Sequence, residues 1–336
     1  MSYRGQVPSL SPVIAEIRLA VRTALADLPE GSTVIVALSG GADSLALTAA
    51  TAFEASKAGV RTTSVTVDHG LQVDSAEVAA RAASIAAALG VETVVVRVDV
   101  QGEGGPEAAA REARYRVLRE VAAEIGASAV LLGHTLDDQA ETVMLGLARG
   151  SGAASLQGMA PSREDEDGLR WLRPLLGVRR ETTRALCAAS GLTPWEDPHN
   201  LDERFARVRV RQRVLPVLEA ELGPGIAEAL ARTAEQLRED AEAFDEMIHE
   251  TIEDIVEHAE AGISVSVAAL AANPAALRNR IIRLVVDSEF GVSLTRTQTV
   301  EVARLVTDWT GQGPIDLPGC SALRRGGQIV FSASGR

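Results

Sequence analysis

Four times between residues 33 and 149 a short apolar run gives way to a turn and then to an alanine-rich stretch with helical periodicity. The runs cover residues 34–38, 62–67, 91–98 and 129–132. Strands separated by ten or more helix-forming residues cannot pair as hairpins, so each helix crosses over and the next strand lies parallel to the last. This pattern commits the chain to an α/β fold, a Rossmann-like parallel sheet with helices on both faces. Ligands of such sheets sit beyond the carboxyl ends of the strands. Three of the four runs end there in polar strings: Ser39-Gly40-Gly41, Asp68-His69-Gly70 and Gly133-His134-Thr135.

The second half reads differently. At 336 residues the chain exceeds a typical single core, which predicts two domains. Residues 150–168 are rich in Gly, Ser and acids, with Glu164-Asp165-Glu166-Asp167 as a solvated loop tip, and residues 171–198 return to mixed helix and turn. Pro216, Gly223 and Pro224 mark a junction, so the boundary is placed between residues 218 and 219. Beyond it Ile226, Leu230, Leu237, Ala241, Phe244, Ile248, Ile252 and Ile255 recur mostly at three and four residues, the apolar stripe of one amphipathic helix. Two further helices, residues 274–290 and 297–309, and a terminal β-hairpin around Pro318-Gly319 and Gly326-Gly327 complete a mainly helical C-terminal region.

The turn after the first run is built for an oxyanion. Gly40 and Gly41 let backbone N–H groups approach without a Cβ in the way, Ser39 and Ser44 add hydroxyls, and the following helix points its positive end at the same spot. No GxxxxGK[ST] occurs and Lys57 is the only lysine among 33 basic residues, so no lysine grips a γ-phosphate here. The string Ser39-Gly40-Gly41-Ala42-Asp43-Ser44 resembles the PP-loop of the N-type ATP pyrophosphatases, which split ATP between the α and β phosphates. That resemblance implies a PP-loop (adenine nucleotide alpha hydrolase-like) domain over residues 1–218. ATP would be held by those six residues and, at the other strand ends, by Asp68, His69 and Gly133. Asp43 beside a triphosphate is repelled unless a cation lies between, so it reads as a Mg²⁺ ligand, direct or through water. It reads equally as an N-cap, and both can hold at once.

Charge and cysteine usage bound the partners. The net charge of −13 is regional: residues 219–260 hold 14 acids against Arg232 and Arg238, whereas residues 170–213 hold ten arginines against five acids. Screening confines a charge's influence to about 8 Å at physiological salt, so the arginine-rich stretch can meet RNA phosphates whatever the global charge. Ten aromatics in all leave few rings to stack on bases, and recognition would rest on arginine, backbone donors and shape. Cys187 and Cys320 stand far apart without a CxxC, which argues for a reduced cytoplasmic protein with no zinc or iron–sulfur site. No secretory h-region and no run of 18 apolar residues occur, so no membrane is expected.

The polar string Gly133-His134-Thr135-Leu136-Asp137-Asp138-Gln139-Ala140-Glu141-Thr142 opens a helix at the fourth strand end. Asp137 and Glu141 share a face, and Asp138 with Glu141 reads as an acidic capping box. Several carboxylates and a histidine beside a phosphate turn repel one another unless they bind a cation or an amine, such as an attacking lysine amino group.

Taken together, SGGADS, Val67-Asp68-His69-Gly70-Leu71 with Ser75 and Glu77, residues 107–115 with Arg111 and Arg114, the GHTLDDQAET string with Arg149-Gly150-Ser151-Gly152, Arg173-Pro174-Leu175-Leu176, and Trp195-Glu196-Asp197-Pro198-His199-Asn200 with Arg207 and Arg211 resemble the tRNA(Ile)-lysidine synthetase family in order and spacing. The resemblance spans residues 34–216. It implies attachment of free L-lysine to C2 of the wobble cytidine in the CAU anticodon of tRNA(Ile), after ATP adenylates the C2 oxygen. Asp43, His134, Asp137 and Asp138 would carry the chemistry, and Arg111, Arg114, Glu141, Arg149, Arg207 and Arg211 would meet tRNA, substrate or pyrophosphate. His199 stands where the family string has Ser, and Val208 where Asn follows Arg207. The oligomeric state is left open, a homodimer included. Rival readings are another PP-loop ligase, opposed for thiolation by the missing CxxC and for an amidotransferase by Ser2 after Met1, and a non-catalytic adenylate- or tRNA-binding module, opposed by the intact Asp43, Asp137 and Asp138.

Overall fold

The computed structural model describes residues 11–70, 74–98, 106–150, 152–259 and 262–334. Leu71 and Ser151 of the motifs lie outside the described residues. The chain divides into two compact units between Arg238 and Glu239.

In the first unit, α1 (Pro12–Leu25) precedes β1 (Thr33–Ala37), α2 (Ala42–Lys57), β2 (Arg61–Asp68), α3 (Ser75–Ala88), β3 (Glu92–Arg97), α4 (Pro106–Ile125), β4 (Ala129–Leu131) and α5 (Leu136–Ala148). The four expected strands are present and pair in parallel, β2 and β4 flanking β1. The β-branched run of β1 explains its central place: Val34 and Val36 enter one core with Ile17, Leu45, Leu47 and Ala82, while Ile35 enters the opposite core with Val117, Leu118 and Trp171. Each face is therefore covered by helices, α1 to α3 on one and α4 on the other.

After α6 (Ala153–Leu156) come two strands that the sequence did not disclose, β5 (Ser162–Glu164) and β6 (Arg170–Leu172). β6 extends the parallel sheet beside β4 and β5 folds back antiparallel, giving the order β3-β2-β1-β4-β6-β5. The tip expected at residues 164–167 is only partly solvated, because Asp165 turns inward. It accepts from the Trp171 indole at 3.0 Å, the Leu169 amide at 3.1 Å and Arg119 at 3.2 Å, and so fixes the hairpin under the fully buried Trp171. Then follow α7 (Arg180–Ala189), α8 (Ala206–Arg209) and α9 (Leu215–Leu222), the last two joined through one π-helical stretch at Val210–Val214. Such insertions widen the helix locally and re-aim its side chains.

The long stripe forms α10 (Ile226–Ile255), thirty residues as its periodicity predicts, with Ala234, Ala241 and Ile248 buried and Glu235, Glu239, Glu242, Glu246 and Glu250 exposed. In the second unit, β7 (Val256–Ala259), β8 (Gly262–Ser266), α11 (Val267–Ala272), α12 (Ala275–Phe290), α13 (Arg296–Thr307), β9 (Ile315–Leu317), β10 (Cys320–Arg325) and β11 (Gln328–Ala333) enclose their own core around Leu270, Ile282, Val302 and Phe331. α12, α13 and the two tight turns lie where expected, while α11 was not foreseen. The expected hairpin does not stand alone: it is the middle of a five-stranded antiparallel sheet, β7-β8-β11-β10-β9. β9 has three residues and β7 carries the end of a helical pattern, and neither gives a period-2 signal long enough to read.

Candidate active site

Strand order reverses at β1, whose neighbours are β2 and β4 on either side, so the loops after β1 and β4 open the crevice where such sheets take ligands. After β1 the chain turns through Ser39-Gly40-Gly41 into α2. Gly40 has φ +83°, a conformation that a side chain strains, and its carbonyl accepts the Trp195 amide at 2.9 Å. Ser44 Oγ accepts from the Ser39 amide at 3.2 Å and donates to the Gly41 carbonyl at 3.0 Å, which holds the turn open. Gly41 is the N-cap residue of α2 and no side chain caps it, so the first amides of the helix, Ala42 among them, point outward unpaired by any cap.

The β4 loop lies against this turn. A Cβ on Gly133 would come within 3.2 Å of the Asp43 carbonyl carbon and of the Ser44 amide nitrogen, both backbone atoms. Gly133→Ala is therefore expected to push the first turn of α2 away from β4, lowering stability by about 1–3 kcal/mol and weakening ATP binding, as denaturant titration and nucleotide calorimetry would read.

Thr135, not Asp138, is the N-cap of α5, so the capping box is Thr135 with Asp138 rather than Asp138 with Glu141. The Thr135 amide and hydroxyl donate to Asp138 Oδ2 at 2.8 and 2.9 Å. Glu141 is thereby released for another task. It is fully buried, and Arg211 Nε donates to it at 2.6 Å, Arg180 Nη1 at 3.2 Å, with Arg207 Nε at 3.6 Å. Asp137 accepts the Arg180 amide at 2.8 Å, docking the start of α7, and pairs with Arg179 at 3.2 Å. The cations these acids require come from the protein itself: Arg179, Arg180, Arg207 and Arg211 pair with them. Arg179, Arg180 and Thr183 escaped the sequence reading, since a pair of arginines before a helix carries no signal until the fold brings it against α5.

Environment sets the charge of each group. Burial raises the pKa of Asp43, opposed by the Thr183 hydroxyl, which donates to Oδ1, and by Arg180 Nε at 3.6 Å from Oδ2. Burial also works against ionised Asp138, but Arg180 and the Thr135 amide outweigh it and hold its pKa below the ordinary carboxylate value. Asp68 is held low as well, against its burial, by Ser75 and by the Gly70 amide at 3.0 Å, so it shapes its own turn. Burial pushes both His69 and His134 down to about 4, with Arg114 adding to the effect at His69; His134 Nδ1 and both His69 ring nitrogens are buried with no hydrogen-bond partner among the described residues.

The sign of the histidine effect fixes a pH dependence. Between about pH 6.5 and 4 the unfolded chain binds protons that the folded one refuses, so stability is present above that window and lost as pH falls through it. Chemical denaturation at pH 7 and pH 5 is expected to show a loss on the order of 1–3 kcal/mol, reduced by about half in His134→Gln. An unchanged difference in that variant would mean His134 is not the group refusing protons.

The arginines divide. Arg207 of α8 donates to Thr142 Oγ1 at 2.8 Å and Arg211 of the π-helical stretch to Glu141, so both are committed inward. Arg111 lies on Tyr115, its guanidinium carbon 5.1 Å from the ring centroid. Arg114 is exposed yet hemmed by protein, and burial plus neighbouring Arg111 lower its pKa; its field also reaches His69. Arg173, a motif residue with no role expected of it, donates to the Ala160 carbonyl at 2.8 Å and keeps Nε buried with no hydrogen-bond partner among the described residues. Arg149 is exposed at the C-cap of α5. His199 packs edge-on against Phe205 with ring centroids 6.4 Å apart, and Val208 is buried, so both departures from the family string serve local packing.

A parallel sheet with a glycine turn after its central strand, at the switch point, defines a PP-loop nucleotide-binding protein. The PP-loop domain family matches residues 15–218, and the TilS substrate binding domain family matches residues 266–330. A tRNA(Ile)-lysidine synthase of Leifsonia xyli subsp. xyli is 59% identical over 306 residues, 90% of this chain and 91% of that one; that of Thermobifida fusca is 50% identical over 96% and 98%. The U34-tRNA thiolase NcsA from Methanococcus maripaludis superposes with TM-score 0.58 at 21% identity over 68% of this chain and 79% of that one, which speaks for the fold alone. The chain belongs to the tRNA(Ile)-lysidine synthase family.

Proposed function

We propose that this protein is an ATP-dependent ligase that joins L-lysine to C2 of the wobble cytidine of the CAU anticodon of tRNA(Ile), releasing AMP and pyrophosphate. The observation that carries the reading is the uncapped, glycine-opened start of α2, packed through Gly133 against the loop that bears His134, in a chain of this family. In the first step the cytidine C2 oxygen attacks the α-phosphorus and pyrophosphate leaves, its charge met by the amides at the start of α2 and by Ser39 and Ser44. In the second, the lysine ε-amine attacks C2, AMP departs with the bonding pair, and the amine proton goes to solvent. His134 is neutral at working pH, so it can accept a hydrogen bond from the amine without repelling it. Asp137 and Asp138, held by Arg179 and Arg180, fix the α5 turn beside which that amine would bind.

Magnesium fits one role only. Among the described residues no group of three or more His, Cys, Asp or Glu side chains could hold a metal by itself, and the α5 carboxylates are taken by arginines. Asp43, at the opening turn of α2, has only the long 3.6 Å pairing with Arg180 among the ion pairs, so its carboxylate would be the one to hold a hydrated Mg²⁺, which would supply positive charge to the phosphates. Residues 219–336 would bind tRNA, a reading supported by the substrate binding domain match. Arg111, Arg114 and Arg149 are the family-motif arginines left to meet RNA phosphate or pyrophosphate. No helix among the described residues is long and apolar enough to cross a membrane, and a cytoplasmic setting suits two reduced, buried thiols. The test is direct: with ATP, Mg²⁺, labelled lysine and unmodified tRNA(Ile), mass spectrometry of the nucleosides is expected to show lysidine in step with AMP release. AMP release without a lysine-bearing nucleoside would overturn the reading.

A further inference from the structure

The chemistry above has two halves carried by different elements, the phosphate turn on α2 and the acid-bearing turn on α5, and a single side chain reaches both. Arg180 Nη2 donates to Asp138 Oδ1 at 2.7 Å, Nη1 to Glu141 Oε1 at 3.2 Å, and Nε stands 3.6 Å from Asp43 Oδ2. The side chain is only 15% exposed, and its own amide is anchored on Asp137. One helical turn along α7, Thr183 gives its hydroxyl to the other oxygen of Asp43, and Cys187 Sγ lies 3.4 Å from the Ala42 carbonyl. The first residues of α7 thus clamp the start of α2 and the start of α5 from one side.

We propose that Arg180 is a positioning residue for adenylation: its planar guanidinium, hydrogen-bonded to Asp138 and Glu141 on α5 and in ion-pair range of Asp43 on α2, sets the separation between the ATP-holding turn and the α5 turn that faces cytidine and lysine. This rests on the ligase reading above. A guanidinium suits the task because its donors lie in a fixed plane, whereas an ammonium offers one rotatable point of charge on a shorter reach. Transfer of the adenylyl group requires the α-phosphorus and the C2 oxygen to meet in line, and displacements of about 1 Å can cost on the order of 100-fold in rate. Arg180 touches neither reacting group, so its removal should leave ATP affinity nearly intact while turnover falls.

Arg180→Lys tests this because it keeps the charge and loses the fork. Expected are a melting temperature close to the parent's, affinity for α,β-methylene-ATP and KM for lysine within about threefold, and kcat for AMP release lowered about 10- to 100-fold. Parental kcat in Arg180→Lys overturns the proposal, and so does a large loss of nucleotide affinity, which would make Arg180 a binding contact. Should that variant fail to fold, Thr183→Val removes only the hydroxyl that aims Asp43; kcat lowered about tenfold at unchanged nucleotide affinity supports the clamp, and parental kcat rejects it. A parent that forms no lysidine sinks the ligase reading and this inference with it, whereas an active parent indifferent to both substitutions sinks this inference alone.

Discussion

Replacing Asp43 with asparagine is expected to lower AMP release 100-fold or more while leaving the fold almost as stable as before. The carboxylate stands at the opening turn of α2, where burial already penalises its charge, and its ion pair with Arg180 is the longest of that guanidinium's three contacts at 3.6 Å. Asparagine keeps an oxygen that can accept from the Thr183 hydroxyl, so the loss in stability should stay within about 1 kcal/mol. What disappears is the Asp43 charge at the phosphate turn, which in the proposed reaction would hold a cation beside the pyrophosphate. Single-turnover measurement of AMP, paired with thermal unfolding, separates the two effects. Turnover equal to the parent's would remove Asp43 from the chemistry altogether.

Glu141 is expected to behave in the opposite sense, as a stability residue before anything else. Its side chain is wholly buried and faces Arg180, Arg211 and Arg207. Glu141→Gln keeps the shape and removes the charge, leaving three guanidinium groups crowded around a neutral amide. Breaking a buried ion pair from one side costs about 3–5 kcal/mol; the partial exposure of the arginines argues for the lower end. In a unit of this size that corresponds to a fall of roughly 6–12 °C in the melting temperature. A variant melting with the parent would show that solvent, and not Glu141, compensates those arginines. Any loss of tRNA affinity in this variant must be read against its folded fraction, because the buried acid pairs with three arginines of the fold.

The four strands from β1 to β4 were legible because alternating runs and helical stretches allow one kind of sheet, and the SGGADS turn because its composition suits few other ends. β5 and β6 were not legible: three residues each carry no periodicity, and Trp171 in β6 reads as any apolar residue until Asp165 is seen to hold its indole. The acids of α5 were picked out, but their partners were not. Arg180 lies 42 residues from Asp138, and nothing in linear spacing joins them. The capping box was misassigned by one turn for a related reason, since only the backbone path at Thr135 decides which residue is the N-cap.

Local composition alone thus determined the parallel sheet, the phosphate-facing turn at Gly40-Gly41, the thirty-residue amphipathic helix and the family, because each depends on periodicity or on a short string of fixed chemistry. Tertiary structure decided who neutralises whom: that Arg180, Arg207 and Arg211 turn inward to Asp138 and Glu141, that His134 is kept neutral, and that α7 ties α2 to α5. Charge pairing and desolvation act through space over a few ångströms, and a chain's order along its length does not record which of its distant segments will come that close.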